Sequence, residues 1–117
     1  MRIGLVLFAA APLFAALPAL AQDEAVASAQ IAQGNYSVAE SQLLAELRVH
    51  PGRPELLLNL AAVYARTGRT VEARNLYTKV LSKDDVLMDL AVDRTAGSHT
   101  LAQHGLRRLD TVQFSAR

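Results

Sequence analysis

Cysteine is absent from this chain of 117 residues, and so is tryptophan. Without cysteine no disulfide can staple the fold, so stability must come from packing. Aromatic side chains are few, three Phe and three Tyr. A core therefore falls to Leu, Val and Ala, which suits closely packed helices. Charge of one sign is lacking too: 12 Lys and Arg stand against 11 Asp and Glu. No basic excess favours nucleic acid, and no acidic run marks a solvated tail.

Combinations that carry chemistry are equally scarce. Gly34, Gly52, Gly68, Gly97 and Gly105 are isolated, so no glycine-rich loop exists to cradle a phosphate. His50 precedes Pro51 at a helix end, where it can stabilise terminal carbonyls. His99 and His104 are five positions apart, about 140° around a helix, and point different ways. No carboxylate stands three or four residues from either on that helix, so no metal and no cofactor is expected. Ser98 next to His99 is not a nucleophile–base pair, which needs spatial apposition and an orienting acid. The expectation is a protein that is not an enzyme, with a small hydrolase using His99 as the remote alternative.

The first 21 residues read as a secretory signal. Arg2 gives a positive start, Ile3 to Leu17 carries no charge, and Pro18 precedes the small-residue site Ala19-Leu20-Ala21. An uncleaved anchor is the rival, weakened by Pro12 and Pro18 in a stretch barely long enough to span a bilayer. Cleavage leaves Gln22 to Arg117, enough for one small domain, with no stable membrane span. The expected location is the periplasm of a Gram-negative bacterium, or outside the cell.

What is present in the remainder is a repeat. Gly34 recurs as Gly68, Ala39 as Ala73 and Leu43 as Tyr77, each pair 34 positions apart. The clearer copy spans about 54–86. Pro54 suits a helix start and Glu55 complements its dipole. Leu57, Leu60, Ala61 and Tyr64 make one apolar stripe. Gly68 closes that helix, Thr70 is placed to cap the next, and Ala73, Leu76, Tyr77, Val80 and Leu81 form its buried face. The copy at about 23–53 is weaker at its start, with Asp23, Val26, Ala27 and Gln30 at the matching places. There Ser37 reads as a cap with Glu40 as its capping-box partner, and Pro51 falls where the unit ends.

These residues resemble the tetratricopeptide (TPR) family, whose pattern is W-x2-L-G-x2-Y, then A-x3-F, then P. Leu57 stands at the Trp, Leu60 at the Leu, Ala61 at the Gly and Tyr64 at the Tyr. Ala73 and Tyr77 stand at the later Ala and Phe, and Asp85 at the Pro. The resemblance covers roughly two-thirds of the chain after the leader and implies an all-α fold. Antiparallel helix–turn–helix units would stack as a short α-solenoid with a C-terminal capping segment.

No third repeat is in register. Val86 to Val92 is apolar and reads as continuing or capping the stack. Asp93 to Gly97 reads as a break, and Ser98 caps a last helix through Leu109, packed by Leu101 and Leu106. The cap occupies about 87–110 and the tail 111–117, with Val112 to Arg117 extended or unstructured. Two recognisable repeats fall short of the three usually needed, so the C-terminal segment, a partner or a second copy must complete the core.

In relatives that grip peptide tails, an Asn just before the residue matched by Leu60 faces the concave groove. The resemblance therefore points to Asn59, whose amide can satisfy both an N–H and a C=O of extended peptide. The same helix face adds Leu58, Ala62 and Arg66, and Arg66 is suited to a carboxylate. The first copy offers only Ser28 and Ile31 on its matching face, which argues against an acidic-tail clamp. The implied function is a non-catalytic scaffold for a protein or peptide partner. A narrower alternative is an assembly factor for an envelope complex in secretion, pilus or cytochrome maturation.

Overall fold

A computed structural model describes residues 30–91 and 94–115. The leader and most of the first helix of the first copy lie outside them. After a helical turn at 30–32 come α1 (Tyr36–Val49), α2 (Pro54–Arg66) and α3 (Thr70–Leu81). A hairpin of β1 (Leu87–Ala91) and β2 (Arg94–Gly97) follows, and then α4 (Ser98–Ser115). The chain is mostly helical, with one small strand pair among the described residues that an all-α expectation leaves out.

The two copies turn alike. Gly34 and Gly68 have φ of 80° and 78°, the left-handed region that glycine enters without a Cβ clash. Behind each, an N–H reaches back five residues to a helix carbonyl. Asn35 donates to Gln30 O at 2.9 Å, and Arg69 to Tyr64 O at 2.8 Å. This is the closing bond of a glycine-terminated helix. Ala39 and Ala73 are both wholly buried, as is Leu43, and Tyr77 is nearly so. The sequence period is thus a period of backbone geometry.

Pro54 opens α2 in its first turn with Glu55 beside it. Leu56, Leu57, Leu58, Leu60, Ala61, Val63 and Tyr64 are all buried, because α2 lies between α1, α3 and α4. Neither hydroxyl expected to cap a helix of the two copies does so. Tyr36 and Thr70 begin α1 and α3, placing Asn35 and Arg69 at the cap positions without side-chain cap bonds. Ser37 sits inside α1 and accepts the Ser41 hydroxyl on its backbone carbonyl. Glu40 turns outward to Arg69 instead, at 2.6 Å. Arg69 also meets Glu72 at 2.8 Å and lies 4.0 Å over the Tyr64 ring. One guanidinium therefore ties the two copies together at their turns.

The segment after α3 does not continue as helix. Leu87 pairs with Gly97, Met88 with Ala96 and Asp89 with Thr95, before an irregularity that leads to Ala91 and Arg94. The reason is a set of bonds at the base. Ser98 N–H donates to Val86 O at 2.8 Å, and Val86 N–H to the Ser98 hydroxyl at 2.9 Å. Two strands alone are marginal in water, and Met88, buried in the core, anchors this pair.

Helix α4 runs past Leu109 to Ser115, so Val112 to Ser115 are helical and not an extended tail. Ala102 and Leu109 are buried, and Leu101 and Leu106 are partly so. Gly105 faces the Tyr77 ring so closely that a Cβ there would overlap it. Arg74 on α3 meets Asp110 on α4 at 2.7 Å.

Asp85 caps α4 from outside the helix, accepting from His99 N–H at 3.0 Å and the Ser98 hydroxyl at 3.3 Å. The His99 N–H, more than any other group, holds this carboxyl below its ordinary value. A depressed folded value stabilises fully above about pH 4, the unfolded value, and the contribution is lost as pH falls through the folded one. Urea unfolding at pH 6 and pH 3 should show wild type losing more stability than Asp85→Asn, whose amide oxygen accepts the same bond without titrating. Equal losses would mean that the cap contributes nothing to folding.

Candidate functional site

Where α2, α3, β1 and α4 meet they enclose a cleft of about 430 Å³. That volume suits the enclosure of a small organic group or a few side chains. Helix α2 gives one wall through Leu58, Asn59, Ala62, Ala65 and Arg66. Ala62 lies three or four residues from each of the other four, so the five share one broad face. Helix α3 gives Thr70 and Tyr77, and the hairpin gives Met88 and Leu90. Helix α4 closes the far side with Leu101, His104, Gly105, Arg108 and Leu109.

All four residues singled out in the sequence line this one cleft, in different settings. Leu58 is buried and forms floor, while Asn59 and Ala62 are half-buried on the wall. Arg66 is exposed at the C-terminal end of α2. The Asn59 amide makes no hydrogen bond among the described residues. The α4 segment forms the opposite wall and leaves Asn59 open to the cleft.

No family model matches the chain, and neither does any curated protein or solved structure. The chemistry must be read from the side chains.

Among the described residues no Asp or Glu lines the cleft; its charged residues are Arg66 and Arg108, with His104 beside them. Neither arginine has a carboxylate partner among the described residues, whereas Arg53, Arg69 and Arg74 are all paired. Burial pushes the Tyr77 phenol above its ordinary value, and the positive charges of Arg66 and Arg108 pull it partly back. Both guanidiniums therefore lie within electrostatic reach of the same hydroxyl. At neutral pH that hydroxyl keeps its proton and can donate.

Sequence reasoning missed Arg108, Tyr77 and the hairpin wall as members of this site. Tyr77 was legible only as a space-filling plug. Arg108 follows Leu101 and Gly105 at intervals of four and three on α4, the one local sign that it shares their face.

Ser98, His99 and Asp85 are neighbours but are wired for structure. The Ser98 hydroxyl is buried and bonds Asp85 directly, while the His99 ring Nε2 lies 2.6 Å from Lys83 O. That places Nε2–H as donor to the carbonyl. A relay would need the imidazole between serine and aspartate. Among the described residues no three His, Cys, Asp or Glu side chains gather as metal ligands, and no helix is long and apolar enough to cross a membrane.

Proposed function

We propose that this chain is a non-catalytic scaffold that holds an extended segment of a protein partner against the inner face of α2. The observation that carries the reading is Asn59, a half-buried amide on the wall of the cleft without a partner among the described residues. An amide offers both a donor and an acceptor, the pair that an extended backbone presents. Leu58 and Ala62 supply apolar floor beside it, and Arg66 a positive end.

A short TPR-like stack is the architecture this reading assumes. It draws support from the 34-residue recurrence of Gly34 and Gly68, of Ala39 and Ala73, and of the turn bonds behind them. Helix α4 then serves as its C-terminal cap. The leader-like segment at 1–21 supports a location in the bacterial envelope, where an assembly factor for an envelope complex is the narrower form of the same proposal.

The test is Asn59→Ala. Partner capture from an envelope extract, followed by titration with the captured protein, should show binding weakened by about 1–3 kcal/mol, because the partner's amide groups lose their bonds. The melting temperature should stay within about 2 °C of wild type, since a partly exposed amide with no internal bond supports no other group. Unchanged affinity would make Asn59 a bystander, and lost stability would make it structural.

A further inference from the structure

The cleft has a polarity that the scaffold reading uses only at Arg66. Its interior is formed by Leu58, Ala62, Met88, Leu101 and Leu109, all apolar and drawn from three different elements. Its cations, Arg66 and Arg108, come from α2 and α4, which face each other across it. The chain as a whole is nearly neutral, yet among the described residues no carboxylate lines this cleft. Two guanidiniums and a protonated phenol thus line an apolar hollow, and among the described residues no carboxylate answers either cation.

We propose that the cleft binds a small amphipathic monocarboxylate, its unbranched alkyl chain lying on Leu58, Leu101 and Leu109 and its carboxylate held between Arg66 and Arg108. The assignment follows from complementarity of charge and shape. A planar guanidinium forks two N–H groups toward a carboxylate, and two of them answer both of its oxygens. Tyr77, whose hydroxyl has no hydrogen-bond partner among the described residues, lines the same cleft and adds a neutral donor. A neutral lipid would leave the guanidiniums unanswered, and a cationic one would be repelled. The hairpin completes the enclosure, since Met88 and Leu90 of β1 both line it.

This ligand goes beyond the scaffold reading and shares Asn59 and Arg66 with it, so the small anion and a docked segment compete for the cleft. Calorimetric titration of the purified protein with decanoate, below its aggregation range, tests the proposal directly. Saturable binding at one site is expected, weakening about tenfold on shortening to octanoate, as two lost methylenes require. Decanol should bind at least about tenfold more weakly than decanoate, because it lacks the charge. Arg66→Gln and Arg108→Gln should each weaken decanoate about tenfold and leave decanol unchanged, and both exposed side chains are dispensable for folding.

Equal affinity for decanoate and decanol, or indifference to both arginine changes, would overturn the proposal. So would the absence of saturable binding to wild type, an arm that involves no variant. Failure here with partner capture through Asn59 intact would remove only the small ligand. Lost capture alongside intact decanoate binding would remove only the scaffold.

Discussion

Gly105→Ala is expected to destabilise the protein, although the same change in an ordinary helix interior stabilises by about 1 kcal/mol. The sign is decided by Tyr77. A Cβ at Gly105 would overlap the outer edge of that ring, which is held in the core by α3 and cannot retreat easily. Overpacking of this kind costs ~1–3 kcal/mol, occasionally more, and here it outweighs the helix-propensity gain. A net loss of about 2 kcal/mol lowers the melting temperature of a domain this small by roughly 10 °C.

Tyr77→Leu in the same background should recover part of that loss, because it removes the atoms that collide. A double-mutant cycle would then show coupling well above the few tenths of a kcal/mol seen between independent sites. A rise in melting temperature for Gly105→Ala alone would mean that α4 does not rest on Tyr77. The cleft would then lose its far wall.

Ala73→Leu is expected to be comparably damaging for a different reason. Ala73 is wholly buried on the face of α3 that meets the rest of the core. A longer side chain there must push α3 away, at ~1–3 kcal/mol. Ala39→Leu, 34 positions earlier and equally buried, should move stability in the same direction. Thermal melts of the two variants give the check. An unchanged value for either would mean that its small size is not what lets the helices approach, and that the repeat register is wrong.

The parts of this fold that were legible in the sequence are those set by near neighbours. Pro54 at a helix start, Gly68 at a helix end and the stripe from Leu57 to Tyr64 each declare themselves within a few residues. The caps were misread because Glu40 has a stronger partner in Arg69, 29 positions away, than any backbone N–H in its own turn. The hairpin was hidden for another reason. Val86 to Val92 is a short apolar run, and periodicity alone cannot tell a strand from a buried helical turn in so few residues. Its pairing is fixed by Ser98, which the sequence offered only as a helix cap. The candidate site divides along the same line. Asn59, Arg66, Leu58 and Ala62 share one helix face and were found together. Arg108 and Tyr77 join them only because α4 folds back across α3, a contact spanning 28 positions that no local pattern announces.

The way α4 lies over α3 also limits how copies of this chain can associate. An array of stacked helices grows by offering the next unit an uncovered apolar face, and here the face beyond α3 is already occupied. Among the described side chains, the outer side of α4 shows Gln103 and Arg107 to solvent, polar groups that give a following unit little to bury. Head-to-tail association needs a free face at each end and would extend without limit. A polar face at this end works against that route to filaments.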